Sequence, residues 1–348
     1  MDNMKEIYWL DELSKEYREA VGNKCANLGE LIKIGLRVPY GFALSVKAYD
    51  TFMEQSGLKE KVDNIVEKET KAGLDVDKEI DRMIEMSGTI RELIEECEMP
   101  PVVAEQIARY YSELQKKVGI TDVACAVRSS GAVSMPGQME TYLNIKGESE
   151  IIRNVKKVWA SAYTTRAIVF RLKNNMPMSY APIGIAVIMM IDAKSAGVTL
   201  TVLPSAGDLD RTIVEGNFGL GESVVSGDIT PDSFIINKID MAIESRSVAE
   251  KTKMVVYGET GTTIGDIPEM LRKAPCLEDN EILEIVRIGK EVENYFGFPQ
   301  DMEWAVDKRF PFPENIFWVQ ARAAKYAKKE AGKDEAYVAD LMLQLFKK

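Results

Sequence analysis

The spacing of apolar residues changes between Pro177 and Pro182, and this change constrains the fold more than any other feature of the chain. Before it, apolar residues recur at helical intervals. After it, short apolar runs alternate with turn residues, as in an antiparallel sheet with accompanying helices. In the first part the spacing of Leu28, Leu31, Ile32 and Leu36 predicts a helix over 23–36, with Gly35 at its end. Val38–Leu44 reads as a turn into a strand, and about 46–57 as a second helix. Residues 58–118 read as a helical segment broken near Met99-Pro100-Pro101. Ala124–Arg128 reads as a buried strand that opens into a Ser- and Gly-rich stretch over 129–140, expected to be mobile. A further helix is predicted over 150–173. In the second part Ile183–Ile191, Gly197–Leu203 and Arg211–Glu215 read as strands. A helix over 280–296 leads into strands at Met302–Val306 and Ile316–Gln320. The expectation is an α/β (α+β) chain with one lobe over 1–180, a second over 181–323 and a helical tail over 324–348. In that tail Tyr337, Leu341, Met342 and Leu345 form one stripe.

Composition narrows the functional classes. The chain has 348 residues, 46% of them apolar, which is ample for two or three packed units. Its net charge of −11 argues against nucleic acid and against an anionic membrane surface as partners. The longest apolar run, Ile183–Ile191, is too short to span a bilayer. Cys25, Cys97, Cys125 and Cys276 are scattered, and there is no histidine to complete a zinc site. Together with a polar start and no apolar leader, this reads as a cytoplasmic protein.

Neither of the common glycine-based nucleotide signatures is present. Gly332-Lys333 is followed by Asp334, and no GxGxxG follows a strand. The chemistry-bearing residues are spread out instead. Asp301 and Glu303 alternate on one predicted strand, and Gln320 and Arg322 on the next, so each pair shares a face. Were the strands to pair, two carboxylates, an amide oxygen and a guanidinium would converge. Hard oxygen donors suit Mg²⁺ on a polyphosphate, and the guanidinium suits a transferring phosphoryl group. Solvated charges on an edge hairpin would give the same pattern. Arg128, at the end of a strand and the start of a Ser/Gly-rich loop, reads as a phosphate ligand or as a structural cap. Lys24, after Gly22-Asn23 at a helix start, reads as an anion-binding ammonium or as a surface lysine. Gly219–Gly227 reads as a ligand-wrapping loop or as a tight turn. Met189, Met190 and Ile191 read as an apolar seat for a purine or as plain core.

Taken in order and spacing, these pieces resemble the N-terminal, ATP-grasp-type nucleotide-binding domain of the phosphoenolpyruvate synthase and pyruvate phosphate dikinase family. The stretches that carry the likeness are Gly22–Glu30, Val38–Ala43, Ala126–Ser130, Met135–Thr141, Phe218–Gly227 with Pro231-Asp232, Asp301–Ala305 and Val319–Arg322. The resemblance implies two lobes with ATP and Mg²⁺ in the cleft between them. It implies transfer of the β-phosphoryl group to a histidine, release of the γ-phosphate as inorganic phosphate, and AMP left behind. Carried over, Lys24 and Arg128 hold phosphates, with Arg166 as a further phosphate-side arginine and Thr201 in a phosphate loop. Met190 and Ile191 line the base, and Glu222 contacts the nucleotide. Asp301, Glu303 and Gln320 hold metal, and Arg322 steadies the transferring group beside Arg128. The sequence departs from the family pattern at Gly197–Val202 and at Ile188, where a hinge glutamine is expected.

With no histidine in the chain, the acceptor is expected on a histidine-bearing partner subunit that passes phosphate to a small molecule. That split arrangement is similar to phenylphosphate synthase, whose final acceptor is phenol. A split phosphoenolpyruvate synthase, another small-molecule phosphotransferase, or a nucleotide sensor without chemistry would read alike. The Ser129–Gln138 stretch is the expected lid, and the tail is expected to dock either a partner or its own body.

Overall fold

A computed structural model describes residues 4–71, 79–132, 139–227 and 229–327. The expected lid, apart from its first residues, and the tail helix lie outside the described residues. In chain order the first half contains β1 (Ile7–Trp9), α1 (Arg18–Lys33), β2 (Gly41–Leu44), α2 (Val46–Gln55), α3 (Leu58–Lys71), α4 (Ile80–Glu96) and α5 (Pro101–Val118). β3 (Cys125–Ser130), β4 (Thr141–Ile145), α6 (Glu148–Ser161), α7 (Thr165–Lys173) and β5 (Gly184–Met189) follow. The five strands form one antiparallel sheet in the order β1-β2-β5-β3-β4.

β5 is the middle strand, and its alternation shows why the run around it is apolar throughout. Ile185, Val187 and Met189 join the core under the helices, while Ala186 and Ile188 join the core that holds α1. A strand covered on both faces has no polar side. The helical layer packs through aromatic contacts, with the Phe52 and Trp159 rings stacked at 5.0 Å. Pro101 opens α5 at a position that needs no amide hydrogen.

Two expectations are corrected here. The single helix over 150–173 is two, because Thr164 caps a new start: its hydroxyl accepts from the Ala167 amide at 3.3 Å. The boundary at 180/181 falls on the wrong side of β5, which is hydrogen-bonded into the first sheet. The chain passes between sheets at 190–192.

The second half contains β6 (Ala193–Leu200), β7 (Arg211–Phe218), α8 (Glu222–Ser226), β8 (Asp232–Asn237), β9 (Ile243–Ser247), β10 (Lys253–Tyr257) and β11 (Thr262–Asp266). α9 (Asp279–Phe296), β12 (Gln300–Asp307) and β13 (Ile316–Ala323) complete it. Six strands form an antiparallel sheet in the order β13-β12-β6-β7-β8-β9, and β10 pairs with β11 as a separate hairpin. Thr199, Val214, Phe234 and Met302 are buried, whereas Val198, Ile213, Ile235 and Glu303 are only partly so. One face of this sheet is therefore closed, and its core continues through Ile282, Ile285 and Val292 of α9. The same core runs on through Val21, Leu28 and Leu31 of α1 to Ala186 of the first sheet. α1 is thus a wedge shared by both sheets. Among the described residues no helix is long and apolar enough to cross a membrane.

Candidate functional site

Gly22 kinks α1 and fixes where Lys24 lies. Its φ is +80°, and a Cβ there would sit 1.9 Å from the Ser130 carbonyl oxygen. With no side chain in the way, α1 closes on the end of β3. The Cys25 amide donates to Ser130 Oγ at 3.0 Å and the Asn23 amide to the Gly131 carbonyl at 3.0 Å. One helical turn beyond Lys24, the Asn27 side chain donates to the Ala321 carbonyl at 2.8 Å. The helix therefore seats β3 of one sheet and β13 of the other.

The register of β12 and β13 sets Asp301 opposite Arg322 and Glu303 opposite Gln320, with a bulge just after Glu303. The alternation legible in the sequence thus brings four polar side chains to one face. Arg322 pairs with Asp301 through Nε at 2.9 Å and through a terminal nitrogen at 2.7 Å. Gln320 donates from Nε2 to Glu303 Oε1 at 2.7 Å and accepts at Oε1 from Arg128 Nη2 at 2.7 Å. Arg128 Nη1 lies 3.6 Å from Glu303 Oε2, and both side chains are about 15% exposed. The buried Nε of Arg128 has no hydrogen-bond partner among the described residues. The amine of Lys24 is pushed down to about 8, first by burial and then by the Arg128 charge, with Glu303 acting the other way. Three cations thus meet two carboxylates, which leaves a positive surplus in a partly dehydrated setting.

Other sequence-chosen residues lie elsewhere. Thr201 is fully buried, and its hydroxyl accepts from the Gln300 amide at 2.8 Å while its carbonyl accepts from Lys238 Nζ at 2.7 Å. It is a core residue just past β6, the interior strand that takes up most of the strand expected over 197–203. Glycine stands at 197 and 216 because the Trp304 ring crosses both: a Cβ at either would come within 2.7 Å of it. Arg166 is exposed on α7, lining a surface hollow with Ile80, Val169, Phe170 and Lys173 that shares no lining residue with the carboxylate cluster.

Met190, Ile191 and Glu222 form a second group around the β10–β11 hairpin. Tyr257 donates to the Ile191 carbonyl at 2.8 Å, and Thr262 to Glu222 at 2.9 Å. The Asn144 amide nitrogen donates to Met190 Sδ, and its side chain to the Gly258 and Gly261 carbonyls at 3.0 and 2.8 Å. Met190's own amide is taken by the Ala124 carbonyl at 2.8 Å. Sequence reasoning gave no role to Asn27, Asn144 or Tyr257. The position of Asn27 on Lys24's helix face was a usable signal; the contacts of the other two are long-range and had none.

A family model described as the pyruvate phosphate dikinase AMP/ATP-binding domain matches residues 18–340. The chain belongs to that family. Among curated relatives of this dikinase-type nucleotide domain, a probable phosphoenolpyruvate synthase of Staphylothermus marinus is 36% identical over 346 residues, covering 91% of this chain and 41% of its own length. The phosphoenolpyruvate synthase of Aeropyrum pernix is 35% identical over 347 residues, covering 91% of this chain and 42% of its own. A probable phosphoenolpyruvate synthase of Methanocaldococcus jannaschii is 36% identical, covering 99% of this chain and 29% of its own. The chain therefore spans less than half the length of these relatives. As a nucleotide domain of this family it is homologous to an ATP-binding module, and its mixed architecture with antiparallel sheets agrees with that membership.

The donor set fits a magnesium ion that arrives with phosphate. Among the described residues no three His, Cys, Asp or Glu gather to cage a metal. Asp301, Glu303 and the Gln320 amide offer hard oxygens on one face, an incomplete set of the kind Mg²⁺ shares with substrate phosphates and water.

Proposed function

We propose that this chain is the nucleotide-binding part of a dikinase-type phosphotransferase, with ATP and Mg²⁺ held between the two sheets. One observation carries the reading: Arg128 from the first sheet meets Gln320 and Glu303 from the second, beside Lys24 and the Asp301–Arg322 pair. Lys24 and Arg128 hold phosphate oxygens, with the unpartnered Nε of Arg128 as a ready donor. Asp301, Glu303 and Gln320 hold the metal. Arg322, half-exposed at the cluster's edge, meets the transferring group as its charge redistributes. Met190, Ile191 and Glu222 take the base and sugar side. Bound Mg²⁺ supplies charge neutralisation on the phosphates.

The β-phosphoryl acceptor is a histidine outside these 348 residues, since they contain none. It is carried by a partner subunit or a further domain that serves a small-molecule acceptor. The relatives' names favour a phosphoenolpyruvate-forming system over the phenol acceptor of phenylphosphate synthase, which no comparison supports.

Phosphorus NMR on the chain with Mg-ATP, alone and with a histidine-bearing partner, tests this reading. AMP and inorganic phosphate appearing only with the partner is the expected result. ADP would mean direct kinase-type transfer, and binding without turnover with any partner would leave a nucleotide sensor.

A further inference from the structure

The same cluster holds its phosphate-binding groups and its metal-binding groups against each other. Arg322 is paired with Asp301 through two nitrogens, at 2.7 and 2.9 Å. Arg128 is bound to Gln320 at 2.7 Å and lies 3.6 Å from Glu303, itself fixed by Gln320 at 2.7 Å. The second set is largely withdrawn from water, with both charged side chains about 15% exposed. A polyphosphate that took either arginine without a metal would leave a carboxylate unpaired and facing phosphate oxygens. A metal ion that took the carboxylates without phosphate would strand two guanidiniums beside Lys24. At Arg128 and Glu303 each half-reaction uncovers a charge in a poorly solvated place, and at Arg322, which is half-exposed, the cost falls on the 18%-exposed carboxylate of Asp301, whereas a metal–phosphate complex satisfies both signs at once.

We propose that Asp301 and Glu303 determine the form in which nucleotide is accepted: they act as counterions that exclude metal-free polyphosphate and admit the magnesium complex. The inference rests on the reading of this cluster as a nucleotide site. It makes metal and nucleotide binding mutually dependent, and it assigns the rejection of free nucleotide to the carboxylates rather than to a missing contact. Gln320 serves as the relay, because one amide holds Arg128 with its oxygen and Glu303 with its nitrogen.

The test is calorimetric titration of the whole chain with a non-hydrolysable ATP analogue, in excess Mg²⁺ and in chelator, and with Mg²⁺ alone. For the wild type, nucleotide in chelator binds on the order of 30-fold or more weaker than with Mg²⁺, and Mg²⁺ alone gives no saturable binding below millimolar levels. Asp301→Asn keeps the size and shape of the side chain and releases Arg322. It binds the analogue in chelator on the order of tenfold tighter than the wild type does and loses most of the gain from Mg²⁺. Glu303→Gln, which releases Arg128, behaves in the same direction. Circular dichroism and unfolding midpoints establish that each variant is folded, and the conclusion holds if either folded variant shows the gain. Unchanged or weaker binding in chelator by both folded variants would overturn the counterion role while leaving the nucleotide site in place. No binding of the analogue to the wild type in any condition would remove both.

Discussion

Burial takes Lys24 out of the ordinary range of a lysine, and the consequences for stability and for binding run in opposite directions. Its amine is pushed down to about 8 in the folded chain from an ordinary 10.5, so between those values the unfolded chain binds more protons than the folded one. Stability therefore rises with pH through that window, and the full penalty of burying the charge is present below it. Lys24→Met removes the penalty: at pH 7 the variant is expected to be more stable than the wild type by about 1–3 kcal/mol, the gap closing by pH 10.5. Denaturant midpoints at the two pH values check this. On the proposed reading, in which Lys24 holds phosphate in its charged form, wild-type nucleotide affinity is expected to fall as pH rises through about 8. The methionine variant binds weakly at every pH, without that slope. Gly22 acts beside it through backbone alone. Gly22→Ala forces a Cβ against the Ser130 carbonyl at a positive φ, and is expected to cost about 2 kcal/mol or more while displacing Lys24 from Arg128. A variant as stable and as tight-binding as the wild type would contradict that placement.

At the scale of elements the β10–β11 hairpin is held to the second half by few contacts. It stands outside the six-stranded sheet, and Ile264 on it is 70% exposed. Its anchors include the Tyr257 hydroxyl on the Ile191 carbonyl, the Asn144 side chain on the Gly258 and Gly261 carbonyls, Val255 against Leu220, Thr262 on Glu222 and the Asn217 side chain on the Lys253 carbonyl. Tyr257→Phe combined with Asn144→Ala removes three hydrogen bonds of about 1 kcal/mol each. Amide exchange over 253–266 is expected to accelerate on the order of tenfold or more, with protection in β5 and β12 unchanged. Uniform loss of protection would instead make the hairpin part of the core.

The elements themselves were legible where local pattern decides them. β12 and β13 are joined by a short connection, so alternation alone places Asp301, Glu303, Gln320 and Arg322 on one face. Pattern failed where distant partners decide. The strand over 197–203 was legible, but the reason for the glycine at 197 was not: it answers the Trp304 ring lying across β6 and β7 at Gly197 and Gly216. Likewise the β5 pattern announces a buried strand without naming its sheet, and its neighbours β2 and β3 lie far earlier in the chain.

For the molecule as a whole, α1 decides whether the sheets behave as one body. A single core runs from Ala186 in the first sheet through Val21, Leu28 and Leu31 of α1 to Trp304 and Trp318 in the second. Polar bonds reinforce it at both ends, Cys25 to Ser130 and Asn27 to Ala321. Because the wedge is shared, each sheet loses the cover of one face if it leaves, and the two are expected to unfold in one cooperative step. Tryptophan reporters separate the cores: Trp159 is buried under the helices of the first sheet, Trp304 and Trp318 in the core of the second. In chains retaining only one of these reporter sets, the fluorescence midpoint should coincide with that of far-ultraviolet circular dichroism. Leu28 is 1% exposed, and Leu28→Ala opens a cavity worth about 2–4 kcal/mol. If the wedge couples the sheets, this one substitution lowers both reporters' midpoints by the same amount. A shift confined to one reporter, or two separate midpoints in the unaltered chain, would show that each sheet carries its own stability. The cross-sheet bridge from Arg128 to Gln320 would then be an optional contact between independent bodies, and the cluster would have to be assembled by the ligand.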